Sequence, residues 1–220
     1  MVHNDFEKYA FQKSFDLSTD KSWDKVFYDV LKDINKENKN IKFLDYGCGD
    51  GKYFKKLISL GLLNKNIHGV EVSKNRIKRC HAINFKNAIM VDNVPKLPYK
   101  DNEFHVINFM EVIEHIPKEN IDLILKEIRR VLKQNGFLII STPNYPIKRF
   151  YDIFNATVYF KYKRFFDDPT HISPYSFQEL KDKLKIYFSF IESKNFKNGF
   201  LYKYFKNSFF KNKILYICKI

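Results

Sequence analysis

Little in this chain can staple it or break it: its 220 residues hold three cysteines, seven prolines and seven glycines. Cys48, Cys80 and Cys218 stand far apart with no CxxC spacing, which excludes a disulfide framework and leaves reduced thiols as the expectation. No apolar run reaches the roughly 20 residues that span a bilayer. The start, Met1-Val-His-Asn-Asp-Phe-Glu7, has no basic segment leading into an apolar core. A soluble, cytoplasmic chain is expected, without internal repeats, and its length suits one α/β domain. Acidic residues are the minority, 25 against 39 Lys and Arg, a formal charge of +14. That excess suits anionic partners: a nucleotide-activated sugar, a phosphorylated metabolite, RNA or an acidic lipid surface. The chain is also rich in Asn, Ile, Phe and Tyr, which share AT-rich codons with Lys, so codon bias accounts for the larger part of the charge.

From residue 41 onward, short β-branched or aromatic runs alternate with amphipathic stretches of helical length, the pattern of a parallel sheet covered by helices. The runs Ile41–Tyr46, Ile67–Glu71, Ala88–Val91, Phe104–Phe109 and Phe137–Thr142 read as five strands. Gly51–Leu60, Ser73–Ala82 and Asn120–Leu132 read as helices, with Asn135-Gly136 as a helix stop. Trp23, Val26, Phe27, Val30 and Leu31 lie at helical spacing, so residues 1–40 read as a helical cap over one sheet edge. After Pro146 the pattern loosens into aromatic and basic insertions near 146–170 and 195–213, around a helix at Ser176–Leu184 and two strands at Ile186–Ser193 and Ile214–Ile220.

With glycine so scarce, its clustering is informative. Gly47, Gly49 and Gly51 follow a strand and precede a helix, which places backbone amides and a helix N-terminus near an anionic ligand. A dinucleotide site has the same outline, but its fingerprint is GxGxxG and the spacing here is GxGxG. Asp45, at the head of the turn, would repel a pyrophosphate and favour a cationic ammonium. Glu71 ends the next strand, where a carboxylate can accept from two ribose hydroxyls in either cofactor class.

Five segments in order carry a resemblance: Asp45-Tyr-Gly-Cys-Gly-Asp-Gly51, Gly69-Val-Glu-Val-Ser73, Val91-Asp-Asn-Val-Pro-Lys-Leu-Pro-Tyr99, Glu111-Val-Ile-Glu-His-Ile116 and Arg130 through Asn144. Across residues 40 to 190 the chain resembles class I S-adenosylmethionine-dependent methyltransferases, in particular the subgroup of ubiquinone-pathway, sugar and natural-product O-methyltransferases. The resemblance implies a Rossmann-like, seven-stranded, mostly parallel sheet in the order 3-2-1-4-5-7-6, the last strand antiparallel, with helices on both faces and residues 41–220 as the methyltransferase domain. It implies S-adenosylmethionine as cofactor and S-adenosylhomocysteine as product. Asp45, Gly47, Cys48, Gly49, Gly51 and Glu71 would hold the donor, with Asp92 on the adenine amino group, Asn93 against the ring, and Met110 and Glu111 near the sulfonium. His105 and Asn135 stand where the subgroup commonly has an acid and a glycine, and consequences for packing alone are expected.

Methyl transfer to a hydroxyl needs a base. If the chain is helical after the fourth strand, Glu111, Glu114 and His115 share one face, open to structural, catalytic or metal-binding roles. The resemblance associates this ExxEH pattern with magnesium; the expectation is no metal, with Glu111, Glu114 and His115 as the set to test. His171, in a loop bracketed by Pro169 and Pro174, is the leading base, with His115 and Glu114 as further catalytic candidates. Asn108-Phe-Met-Glu111 replaces the Pro-Pro-aromatic signature of base-amine methylation, and there is no Pro-Cys nucleophile. A small-molecule hydroxyl on a sugar or quinone-like metabolite is the expected acceptor, walled by Phe150, Tyr151, Phe154, Tyr159 and Phe160. An RNA or a small-molecule amine are the alternatives, and Lys197–Lys206 a candidate contact for RNA or for peripheral attachment to a membrane.

Overall fold

A computed structural model describes residues 21–35, 40–91, 96–145, 147–158, 168–194 and 213–220. The β-branched and aromatic runs form one sheet. Its strands are β1 (Phe43–Tyr46), β2 (Ile67–Glu71), β3 (Ala88–Met90), β4 (Phe104–Met110), β5 (Leu132–Pro143), β6 (Phe190–Ser193) and β7 (Lys213–Lys219). They stand in the order β3-β2-β1-β4-β5-β7-β6. The pairs within β3, β2, β1, β4 and β5 are parallel, and β7 runs antiparallel to both β5 and β6. This is the expected order, with the antiparallel strand where the resemblance put it.

Successive strand residues alternate between two apolar clusters. Phe43, Val106, Ile139 and Ile217 point to one face, where α1 (Lys21–Asn35) contributes Val26, Phe27, Val30 and Leu31, and α2 (Phe54–Ser59) and α3 (Lys74–Ala82) contribute Phe54, Leu57 and Ile77. Phe27 meets Phe43 edge-on with ring centroids 5.9 Å apart. Leu44, Ile107, Leu138 and Tyr216 point to the other face, under α4 (Lys118–Val131) and α6 (Phe177–Lys185), which supply Leu125, Ile128, Leu180 and Leu184. Helices therefore cover both faces. Ser73 caps α3 through the amide of Arg76, and Ser176 with Glu179 forms a capping box on α6. No helix among the described residues is long and apolar enough to cross a membrane.

Four local readings change. α2 begins at Phe54, not at the last glycine of the turn. Asn135-Gly136 does not stop α4, which ends at Val131; Asn135 (φ +63) lies inside β5, where the partners of β4 jump from Phe104↔Leu132 to Val106↔Phe137. The pair marks a bulge. A Cβ on Gly136 would lie 2.8 Å from both Leu132 Cδ1 and the Lys133 carbonyl oxygen, so the crowding there requires glycine. The loosened segment after Pro146 holds a helix, α5 (Ile147–Val158), whose outer side exposes Phe150, Ile153 and Val158. Ile147, Phe150, Tyr151 and Phe154 recur at i, i+3, i+4 and i+7, so the amphipathic spacing of this helix is present in the sequence. β6 begins at Phe190, because Tyr187 and Phe188 are buried in the turn that leaves α6.

Candidate functional site

The carboxyl ends of the parallel strands, where open α/β sheets bind ligands, border a cavity of about 430 Å³. Gly47, Cys48 and Gly49 line one side; Met110, Glu111, Glu114, His115 and His171 line the other. Eight of the anticipated site residues thus meet in one place. Asp45, Gly51 and Glu71 lie behind the lining, and Asp92 and Asn93 fall outside the described residues.

The glycine turn is closed on itself. The amides of Gly47 and Cys48 both donate to the Val70 carbonyl (2.8 and 3.1 Å), and that of Gly51 donates to the Cys48 carbonyl (2.9 Å). The amide of Gly49 donates to Glu71 Oε2 at 2.9 Å, while Glu71 Oε1 accepts from Val72 and Ser73 (2.9 and 3.1 Å). The expectation that the glycine amides await an anion is corrected: those of residues 47, 48, 49 and 51 are satisfied within the protein. Glu71 holds the turn shut from below, with the Arg76 guanidinium 3.6 Å away.

The glycines differ in why they are needed. Gly47 (φ +75) would bring a Cβ within 2.5 Å of Val112 Cγ2, and Gly51 (φ +79) within 2.8 Å of Ile83 Cδ1. Gly49 (φ +55) would meet only Arg76 Nη1 at 3.6 Å, so its bare side keeps the cavity open. Gly47→Ala is expected to destabilise the fold by about 2–3 kcal/mol, from the left-handed backbone and the Val112 contact. A thermal melt should show a loss of at least about 5 °C. Gly49→Ala should lose clearly less; equal losses would contradict the assignment.

Asp45 and Asn108 are register partners on β1 and β4. Asn108 Nδ2 donates to Asp45 Oδ1 at 2.6 Å, whereas Asp45 Oδ2 and Asn108 Oδ1 are buried with no hydrogen-bond partner. Burial pushes the Asp45 carboxyl up to about 7, against the Asn108 hydrogen bond and with help from the Glu71 charge. A buried acceptor that lacks a donor beneath a turn without an anion cradle fits a cationic ligand and not a pyrophosphate. The Cys48 thiol is held well above its ordinary range by its hydrogen bond with Cys80 and by burial, so it is inert as a nucleophile.

Opposite the turn, the chain leaves β4 through Glu111, in a left-handed conformation (φ +57), and a short 3-10 turn at Ile113–His115. The three residues therefore do not share a helix face. Glu111 accepts from Ser141 Oγ at 2.8 Å and pairs with the Lys213 ammonium. Glu114, 1% exposed, accepts from Thr142 Oγ1 at 3.0 Å; burial and then the Glu111 charge push its carboxyl up to about 8. His115 Nδ1 lies 2.9 Å from the Thr170 carbonyl oxygen, which can only accept, so this nitrogen carries the hydrogen in the neutral ring and Nε2 the lone pair. Burial lowers the His115 pKa, opposed by the Thr170 bond and reinforced by His171.

The loop carrying His171 is built by Asp168. Its Oδ1 accepts from the Thr170 amide (3.0 Å) and hydroxyl (2.6 Å), and its carbonyl from the His171 amide (3.0 Å). Ser173 N donates to the Glu114 carbonyl at 3.0 Å, tethering the loop to the 3-10 turn. His171 Nδ1 sits 2.9 Å from the Tyr145 hydroxyl, and its ring centroid is 4.9 Å from that of His115. Phe150, Tyr151 and Phe154 do not line this cavity, Tyr151 being buried and Phe150 half exposed; Tyr159, Phe160 and Lys197–Lys206 fall outside the described residues. His105 and Asn135 are likewise absent from the lining; His105 Nδ1 accepts from the Lys42 amide at 2.9 Å.

Asn108, Tyr145, Asp168 and Lys213 were not anticipated, and neither were Lys52, Tyr53 and Arg76, which also line the cavity. Only Asp168 was signalled, by its place in the loop before His171.

Residues 44–140 match a family described as a methyltransferase domain. A ubiquinone biosynthesis O-methyltransferase of Pelagibacter ubique is 32% identical over 123 residues, covering 54% of this chain and 49% of that protein. The chain spans about half the length of the curated relatives it matches. The crystal structure of an SAM-dependent methyltransferase from Archaeoglobus fulgidus superposes with a TM-score of 0.61 at 20% identity, over 90% of this chain and 94% of that one. A Pyrococcus horikoshii protein superposes with a TM-score of 0.60 at 19% identity, over 96% and 98%. At such identities these structures speak for the fold.

Proposed function

We propose that this chain, a class I methyltransferase by the match of its residues 44–140 and by its sheet order, moves the methyl group of S-adenosylmethionine to a hydroxyl of a small molecule. The carrying observation is the cavity itself, with a glycine turn whose amides at 47, 48, 49 and 51 are bonded within the protein on one side and a Glu114–His115–His171 cluster on the other. We take residues 41–220 as the catalytic unit and α1 as its cap.

When bound, S-adenosylmethionine supplies a methyl group already activated on a sulfonium. The chain's work is to position and to take a proton. Gly47, Cys48 and Gly49 border the donor, Asp45 supplies negative charge beneath it, and Met110 and Glu111 flank its reactive end. Glu71 acts chiefly by fixing the turn, because three of its acceptor positions are filled by backbone amides. Asp92 and Asn93 are assigned to the adenine on the resemblance alone. His171 takes the acceptor's proton at Nε2 while its Nδ1–H donates to the Tyr145 oxygen; His115 and Glu114 line the same end.

The relatives named as ubiquinone biosynthesis O-methyltransferases support a hydroxyl acceptor. The test is S-adenosylhomocysteine formation, read by mass spectrometry, across catechols, hydroxylated quinones, sugars, nucleotide-activated sugars, amines and RNA. Product with a hydroxylated small molecule is expected. Product with amines alone, or with RNA alone, overturns the proposal.

A further inference from the structure

Charges around the cavity are paired with one exception. Asp50 accepts from the Arg79 guanidinium at 3.2 Å, and the Arg76 guanidinium lies 3.6 Å from Glu71 Oε2. Across the cavity the Lys213 ammonium is joined to Glu111. Lys52 differs: it lines the cavity, half-buried, and makes no hydrogen bond or ion pair among the described residues. A cation drawn partly out of water with no acid beside it costs stability, and an anion on a ligand removes that cost.

The backbone fixes where this cation stands. On one side the Gly51 amide donates to the Cys48 carbonyl (2.9 Å), and on the other the Phe54 amide donates to the Gly51 carbonyl (3.1 Å). Tyr53 also lines the cavity, and Phe27 of α1 meets its ring edge-on with centroids 5.2 Å apart. Lys52 is thus carried between the glycine turn and a ring that the N-terminal helix braces.

We propose that Lys52 binds the carboxylate of the donor's methionine portion and so selects a donor with an intact amino acid. This assignment rests on the methyl-donor reading. In S-adenosylmethionine the carboxylate and the ammonium share one carbon, so an ammonium brought over Asp45 carries the carboxylate to the same end of the cavity. Asp45 and Glu71 oppose a further negative charge there. The amides of residues 47, 48, 49 and 51 are already engaged within the protein. Arg76 and Arg79 already face acids, which leaves Lys52 as the cation for it among the described residues. A charge-assisted contact in this sheltered position holds a ligand more firmly than the same pair on an open surface.

The test is calorimetry with S-adenosylmethionine and with its decarboxylated analogue, which keeps both the ammonium and the sulfonium. The parent protein should prefer S-adenosylmethionine by about 10- to 100-fold. In Lys52→Met the preference should shrink to within about threefold, through weaker binding of S-adenosylmethionine and unchanged binding of the analogue. The unchanged analogue also reports that the variant is folded. Lys52→Arg should restore most of the preference. Lys55→Met removes an equal charge from an exposed position on α2 outside the cavity lining, and should bind both ligands like the parent. A preference that survives Lys52→Met, an equal loss of both ligands in that variant, or a preference lost in Lys55→Met each overturns the assignment. Failure of the parent to bind either ligand sinks the methyl-donor reading, whereas equal affinity of the parent for the two sinks the role of Lys52 alone.

Discussion

Asp45→Asn is expected to raise the melting temperature of the ligand-free protein at pH 8 while weakening S-adenosylmethionine by roughly 10- to 100-fold. The two effects share a cause. The folded chain keeps the Asp45 proton up to about pH 7, whereas the unfolded chain releases it near the ordinary carboxyl value of 3.8. Between those values the folded state binds the extra proton, so stability falls as pH rises through the window and stays low above it. At pH 8 the cost is on the order of 4 kcal/mol, at about 1.4 kcal/mol per pH unit. Asparagine removes that cost, and with it the charge that meets a cation. Donor affinity in the parent protein should rise from pH 6 to pH 8, and the rise should vanish in Asp45→Asn. Calorimetry at the two pH values decides; an affinity independent of pH in both proteins would rule out this role.

His171→Ala should leave donor affinity within about twofold and lower turnover by roughly 10²- to 10⁴-fold, the range for removal of a general acid–base group. His171 stands on a loop tethered by Asp168 and Glu114, away from the glycine turn, which is why binding and turnover should separate. Tyr145→Phe keeps the imidazole and removes the hydroxyl 2.9 Å from its Nδ1. It should lower turnover less and move the pH–rate profile, a shift that a purely structural role would not produce. Full turnover in His171→Ala with a verified acceptor would place proton removal on another group.

Much of this was legible because the fold announces itself in local patterns. Phe43–Tyr46, Ile67–Glu71 and Phe104–Met110 are β-branched or aromatic runs closed by an acid, a glycine or both, and each formed the strand its composition specifies. The order of the seven strands came from the resemblance, since periodicity alone does not choose neighbours. α5 escaped although Ile147, Phe150, Tyr151 and Phe154 stand at the spacing of an amphipathic helix. The proposed donor end was readable as the glycine spacing and its flanking acids, although the sequence could not show that Val70 and Glu71 accept from the turn's amides. The proposed acceptor end was readable only as separate letters. That Glu111 turns away toward Lys213 depends on a left-handed residue and on a partner 102 positions later, neither of which spacing encodes.

The pairing of Glu111 with Lys213 also ties the charge of the cleft to the history of folding. Lys213 opens β7, which lies between β5 and the edge strand β6 and is the strand through which β6 joins the sheet. Contacts of such long sequence separation form late, because the loop entropy they close is large. In a refolding experiment, signal from the parallel strands should therefore recover before the cleft gains its final charge arrangement, which needs β7 seated beside β5.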